Sequence, residues 1–238
     1  MKKWQELEFQ YAELLRDSDA EEREGLYKYA YDIVYELKSE ELPVEPSKRS
    51  HHTSVGLVDF FIGHCSKEDK ILEIGCGRGY LVWKLSYHVK EVIGLDVSSV
   101  VIDESKELIR DNNVSNVKFY NQSATSNLID LLGKNQFDKI ISIDVYEHIH
   151  KDDVDVLLKN IYSLLKSDGK FFVFTPNKDT GPHDVTNQIY TESKEALGFH
   201  INETTPEKLS EKLRSVGFND ISSFADDPQE NIYFVVSK

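Results

Sequence analysis

Apolar residues fall along this chain in two spacings that alternate. Short apolar runs read as buried strands over 71–74, 91–95, 117–120, 137–143 and 170–174. Between them the apolar positions move to intervals of three and four. Residues 80–85 open one helix, and Val101, Ile102, Ser105, Leu108 and Ile109 mark a second that ends near Asn112 and Asn113. Val154, Leu157, Leu158, Ile161, Leu164 and Leu165 mark a third, stopped by Ser167, Asp168 and Gly169. Strands alternating with helices at this spacing predict an α/β fold, with a doubly wound, mostly parallel sheet and ligands at the carboxyl ends of its strands.

Two amphipathic helices precede the first strand. Trp4, Leu7, Tyr11, Leu14 and Leu15 share one helical face, and after a polar break at 17–24 so do Leu26, Ala30, Ile33, Val34 and Leu37. Pro43 and Pro46 interrupt the period, so residues 39–50 read as a linker. Residues 51–65 then form the helix that feeds the first strand, buried through Val55, Val58, Phe61 and Ile62. His51 and His52 point in different directions on a helix and read as its solvated start, not as a chelating pair.

After the fifth strand comes a polar connection over 175–205, about 30 residues and longer than a plain connector, which reads as a lid or binding loop. Thr205 as N-cap, Pro206 in the first turn, Leu209, Leu213 and Val216 facing inward and Gly217 at the end predict one more helix. Runs at 221–224 and 232–236 complete a seven-stranded sheet. The expected division is a helical segment over 1–50 and a core over 51–238 that carries the lid.

Where the first strand stops, LEIGCGRGYL places glycines at alternate positions, Gly75, Gly77 and Gly79. Glycine lets the backbone take positive φ and lie against a ligand, so a ligand here meets main chain. The dinucleotide fingerprint sets its third glycine three places after the second. Here it comes two places after, with Tyr80 at the dinucleotide position, which favours another cofactor. Glu73 precedes the turn, and Asp96 ends the second apolar run.

With that spacing and the later strands in order, most of the chain resembles the class I S-adenosylmethionine-dependent methyltransferases. The resemblance implies a Rossmann-like methyltransferase fold whose last strand is antiparallel, and S-adenosylmethionine as cofactor. By position, Gly75, Gly77 and Gly79 face its methionine part, and Asp96 accepts from both ribose hydroxyls, as an ionised carboxylate can. The implied lining takes in Glu73, Cys76, Val97, Asp144 and Val145, with Ser123 and Ala124 at the adenine. Family members carry an acid where Ser123 stands; its hydroxyl is left to pair with the adenine amino group. Helices ahead of the first strand commonly cap the site in this family. For 1–50, packing on the outside of the sheet is equally open.

Of the 238 residues, 39% are hydrophobic and 29% charged, which describes one globular domain with embellishments and not a disordered chain. The formal net charge of −14 disfavours DNA or RNA as a partner, since no basic cluster offsets it. Cys65 and Cys76 are the only cysteines, and a disulfide at Cys76 would obstruct the glycine turn, so a reducing compartment is expected. No apolar region follows the two basic residues near the start, and no run reaches membrane-spanning length. The expectation is a cytoplasmic protein without membrane insertion.

Methyl transfer from a sulfonium is an in-line displacement, so aligning the acceptor supplies much of the rate, and a sugar or aliphatic hydroxyl also wants a general base. His183 in the lid is the favoured base, with His148, just past the fourth strand, and His200 as substitutes. An ordinary lid or surface role stays open for each of them singly. Asp144, His183, Asp184 and His200 could converge on a metal, but no ligand spacing requires one and none is expected.

IDVYEHI follows the fourth strand in place of the Asn/Asp-Pro-Pro-aromatic tetrapeptide of nucleic-acid amino-methylating enzymes. TGPHD followed by GFHINETTPEKL resembles enzymes that methylate bacterial surface glycans and secondary metabolites. The expected reaction is O-methylation of a small molecule, a sugar, glycan precursor or secondary metabolite, ahead of a protein side chain. Two other classes stay open: a catalytically silent cofactor-binding module with a protein partner, and a nicotinamide-dependent oxidoreductase, against which the glycine spacing argues.

Overall fold

The computed structural model describes residues 1–41, 55–223 and 230–238. Strands β1 (Lys70–Ile74), β2 (Glu91–Asp96), β3 (Val117–Asn121), β4 (Phe137–Ile143), β5 (Leu165–Pro176), β6 (Asn219–Ser223) and β7 (Asn231–Ser237) form one sheet in the order β3-β2-β1-β4-β5-β7-β6. β1 to β5 run parallel, and β7 lies antiparallel between β5 and β6. The strand order reverses between β1 and β4, and ligands of open α/β sheets settle at such a switch point. In register, Ile74 lies between Leu95 and Ser142, so the glycine turn, Asp96 and Asp144 rise from one rim.

Neighbouring apolar residues on each strand serve opposite faces. Ile71, Val92, Ile141 and Phe172 meet Phe61 of α3 (Val55–Gly63), Leu81 and Leu85 of α4 (Tyr80–Ser86) and Ile102 of α5 (Ser99–Asp111). Leu72, Ile93, Ile140 and Phe171 pack on the other side. There they meet Leu128 of α6 (Leu128–Leu132), Leu157 and Ile161 of α7 (Val154–Leu164) and Leu213 of the helix Pro206–Val216. A sheet buried on both faces explains why its strands read as continuous apolar runs.

Several boundaries differ from expectation. β5 begins at Leu165, which pairs with Phe137, and a register shift before Lys139↔Lys170 absorbs the residues between. Ser167, Asp168 and Gly169 therefore lie in a bulged strand start and do not stop α7, which ends at Leu164. The short helix α6 was not expected, and the second N-terminal helix, α2 (Ala20–Glu41), continues into the expected linker. Leu14 is exposed, while Glu8 and Ala12 take buried places on the first helix. Pro43, Pro46, His51, His52 and Phe224 lie outside the described residues.

The helices α1 (Lys3–Asp17) and α2 (Ala20–Glu41) pack together through Ala12, Leu15, Tyr27, Ala30 and Val34, and Phe199 joins that cluster. They are fastened to the core by a buried bidentate pair. Arg23 Nε donates to Asp153 Oδ2 at 2.7 Å and Nη2 to Oδ1 at 2.9 Å, and Tyr27 Oη accepts from His150 N at 2.7 Å. Removing one partner of a buried pair strands the other charge. Arg23→Ala is expected to lower the unfolding free energy by about 3 kcal/mol, read from urea denaturation. An unmoved midpoint would show that the pair contributes nothing to the anchoring of α2.

Candidate active site

A cavity of about 900 Å³ opens at the carboxyl ends of β1, β2 and β4. One wall is the glycine turn. Gly75 N and Cys76 N both donate to Leu95 O, at 2.7 and 3.0 Å, which folds the turn back over β2. Gly75, Gly77 and Gly79 take φ of 71°, 49° and 73°. A Cβ on Gly75 would stand 2.2 Å from Val145 Cγ2, whereas one on Gly77 would meet nothing within 4 Å. Gly79 does not line the cavity. Its Cβ would press on Phe119 and Ser105 at 2.9 and 3.0 Å, so that glycine serves packing behind the turn.

Asp96 is 8% exposed and held from two sides. Oδ2 accepts from Gly77 N and Oδ1 from Ser98 N, each at 2.9 Å. Burial pushes its carboxyl up to about 6, against the pull of those backbone donors. Glu73 is buried on the same wall, its carboxyl raised well above the usual range by burial and then by Asp96, and its Oε2 has no hydrogen-bond partner. Cys76, Val97, Ser123, Ala124, Asp144 and Val145 also line the cavity. Open backbone at Gly77, an oriented carboxylate at Asp96 and an unmatched carboxyl oxygen at Glu73 fit a ligand that bears hydroxyl groups and a positive amine.

The opposite wall joins the end of β4 to the connection over 175–205. Asp144 takes φ 52°, and a 3-10 turn follows over Tyr146–His148. Glu147 Oε2 accepts from Thr175 Oγ1 at 2.9 Å; burial, and then Asp144, raise its carboxyl to about 8. His148 Nδ1 lies 3.0 Å from Phe199 O, and its ring meets that of His200 edge to face at 4.8 Å. Burial pulls His200 down, but its 2.9 Å bond to Glu203 and the charges of Glu147 and Asp184 prevail and carry it to about 9. Glu203, opposed by burial, is drawn down to about 2 by His183 and His200.

All three predicted histidines face this cavity. His183 is the most constrained. Thr180 Oγ1 donates to Asn177 O, so it accepts from His183 Nε2 at 2.9 Å. Nδ1 is buried 3.4 Å from Glu203 Oε1, out of hydrogen-bond alignment. Asp184 Oδ1 turns to Thr186 N at 2.9 Å. Among the described residues, the acid and imidazole groups that converge are Glu147, His148 and His200, not the set of Asp144, His183, Asp184 and His200 considered from sequence.

Residues of the two N-terminal helices also border the cavity. Trp4, Glu8, Tyr27, Tyr31 and Tyr35 line the cavity, and Tyr31 stacks on Phe199 at 4.6 Å. Of these, Glu8, Tyr27, Tyr31 and Tyr35 went unnoticed in the sequence, although the three tyrosines recur every fourth position on one helical face. Arg78 of the glycine turn reaches α2, donating to Ser39 Oγ at 2.8 Å.

Strand order, glycine turn and acidic rim together define a Rossmann-like methyltransferase of class I. The model of a methyltransferase domain matches residues 48–223, and the chain belongs to that family. S-adenosylmethionine is the cofactor that membership brings, and the turn fits it. A ubiquinone biosynthesis O-methyltransferase of Pelagibacter ubique is 32% identical over 112 residues, 47% of this chain and 44% of that protein. The chain thus spans about half the length of the curated relatives it matches.

Solved structures agree in fold. The [4+2]-cyclase SpnF superposes with TM-score 0.68 at 16% identity, over 89% of this chain and 95% of that one. Haemonchus contortus phosphoethanolamine N-methyltransferase 2, in complex with phosphomonomethylethanolamine and S-adenosylhomocysteine, gives 0.61 at 17%, over 76% and 51%. Among the described residues no helix is long and apolar enough to cross a membrane.

Proposed function

We propose that this protein transfers the methyl group of S-adenosylmethionine to a hydroxyl of a small molecule, a sugar, glycan precursor or secondary metabolite. The observation that carries the reading is a single cavity that joins the glycine turn and Asp96 to the His148 and His200 wall under a helical cover. S-adenosylmethionine supplies an electrophilic methyl carbon on a sulfonium. Gly75, Cys76 and Gly77 offer the backbone to its methionine part, Glu73 the carboxyl that meets its amine, and Asp96 the acceptors for both ribose hydroxyls. Val97, Ser123, Ala124, Asp144 and Val145 close around it, and Gly79 holds the turn from behind.

The acceptor hydroxyl is placed against Glu147, His148 and His200. His148 is the imidazole that activates it, because both nitrogens of His183 are engaged or enclosed. His183 positions the lid through Glu203. Residues 1–50 act as a cap and 175–205 as the lid, which together exclude water from the displacement. The O-methyltransferase relative from Pelagibacter supports oxygen as the acceptor atom.

The test is incubation with methyl-labelled S-adenosylmethionine and a panel of sugars, nucleotide sugars, phenols and amines. Label on a hydroxyl oxygen is expected. Label on nitrogen would overturn the choice of acceptor atom, and cofactor binding without transfer to any member would favour a silent binding module.

The ionised form of Asp96 accepts hydroxyl protons, so cofactor affinity is expected to hold at about pH 7 and weaken as the pH falls through about 6. Stability runs the other way. A carboxyl raised above its ordinary value lowers stability while ionised, and that penalty is relieved below about pH 6, so the loss of affinity does not report unfolding. Calorimetric titration with S-adenosylhomocysteine across this range checks it; a flat profile would remove Asp96 from the ribose.

A further inference from the structure

The wall assigned to the acceptor has the donor set of a metal site. Glu147 is fully buried, and its Oε1 has no hydrogen-bond partner. One ligand atom each from Glu147, His148 and His200 lie within 4.8 Å of one another. Each is oriented from behind. The Phe199 carbonyl, 3.0 Å from His148 Nδ1, can only accept, so the neutral ring carries its proton on Nδ1 and its lone pair on Nε2. Glu203, 2.9 Å from His200 Nδ1, keeps a proton on that nitrogen, so an ion that takes His200 displaces the proton on Nε2, and Thr175 Oγ1 holds the other oxygen of Glu147 at 2.9 Å. Imidazoles backed by a carbonyl or a carboxylate are the usual support of metal ligands.

We propose that Glu147, His148 and His200 bind one divalent transition-metal ion whose remaining positions face the cavity and take oxygen atoms of the acceptor. This rests on the methyl-transfer reading and deepens it: with an ion bound, His148 Nε2 is a ligand and activates the acceptor hydroxyl through the metal, which would lower that hydroxyl's pKa, and not as a free base. Two imidazoles and a carboxylate suit ions such as Zn²⁺, Mn²⁺ or Fe²⁺, whereas Mg²⁺ and Ca²⁺ prefer oxygen throughout. Ligands about 2.0–2.2 Å from an ion stand roughly 3–3.5 Å apart, so side-chain rotations of roughly 1 Å close the present set. A three-ligand site leaves room for two acceptor oxygens. The acceptors it favours are therefore vicinal diols, catechols or hydroxy acids.

The metal-stripped chain titrated with Co²⁺, read by its visible absorption, tests this directly. A band that saturates at one ion per chain and is displaced by Zn²⁺ is expected. His148→Ala and His200→Ala should weaken it by about a hundredfold and Glu147→Gln by about tenfold, while exposed His88→Ala leaves it unchanged. Absence of a band in the unmutated protein would overturn the site, as would a band indifferent to all three substitutions. Calorimetry with S-adenosylhomocysteine on the same samples separates the two readings. Cofactor binding without a Co²⁺ band removes only the metal, and no cofactor binding removes methyl transfer whatever Co²⁺ does.

Discussion

Replacing Asp96 with alanine is expected to weaken S-adenosylhomocysteine binding by about a hundredfold or more. The carboxylate is proposed to accept from two ribose hydroxyls, and each hydrogen bond to a charged group contributes roughly 1.5–3 kcal/mol, so losing two costs at least about 3 kcal/mol. A second loss adds to the first. Asp96 is also the acceptor that Gly77 N and Ser98 N point at, and without it the turn loses what holds it to the end of β2. Asp96→Asn keeps one acceptor oxygen and should fall between the two. An unchanged dissociation constant in the alanine variant would place the ribose elsewhere in the cavity.

His148→Ala is expected to lower turnover by about 10²-fold to 10⁴-fold with cofactor affinity nearly unchanged, because the group that activates the acceptor is lost while the glycine turn is untouched. His183→Ala should cost less, about tenfold. Its Nε2 is committed to Thr180 and its Nδ1 is enclosed beside Glu203, so its removal loosens the lid and leaves the activating wall in place. Measured turnover with a fixed acceptor decides between them. A larger loss at His183 than at His148 would return the base to the lid, where the sequence first pointed.

Local signals carried much of the fold. The rim of the sheet was legible because each part of it is written in a few adjacent residues: a strand, a glycine turn, an acid at the end of the next strand. The sheet order itself was not legible, since periodicity does not say which strands are neighbours, and the family resemblance implied only that the last strand is antiparallel. The bulged start of β5 was hidden because Lys166, Ser167, Asp168 and Gly169 look like a helix stop, and only pairing across from Phe137 shows that the strand has begun.

The N-terminal helices show a different limit. Two amphipathic helices were visible, but what they cover depends on distant partners: Arg23 on Asp153, Tyr31 on Phe199, and Arg16 on the carbonyls of Ala196, Leu197 and Gly198. Glu147 and Glu203 went unnoticed for the same reason. Nothing near them in the chain says that one is buried against Thr175 while the other links two lid histidines. Gly79 is the converse case, a motif residue whose reason is the Phe119 ring behind it and not the ligand in front.

The most direct test of the central claim is calorimetric titration of the full chain with S-adenosylhomocysteine and, separately, with NAD. One molecule of S-adenosylhomocysteine should bind per chain, with NAD giving no heat. Tight binding of NAD with no response to S-adenosylhomocysteine would contradict the account.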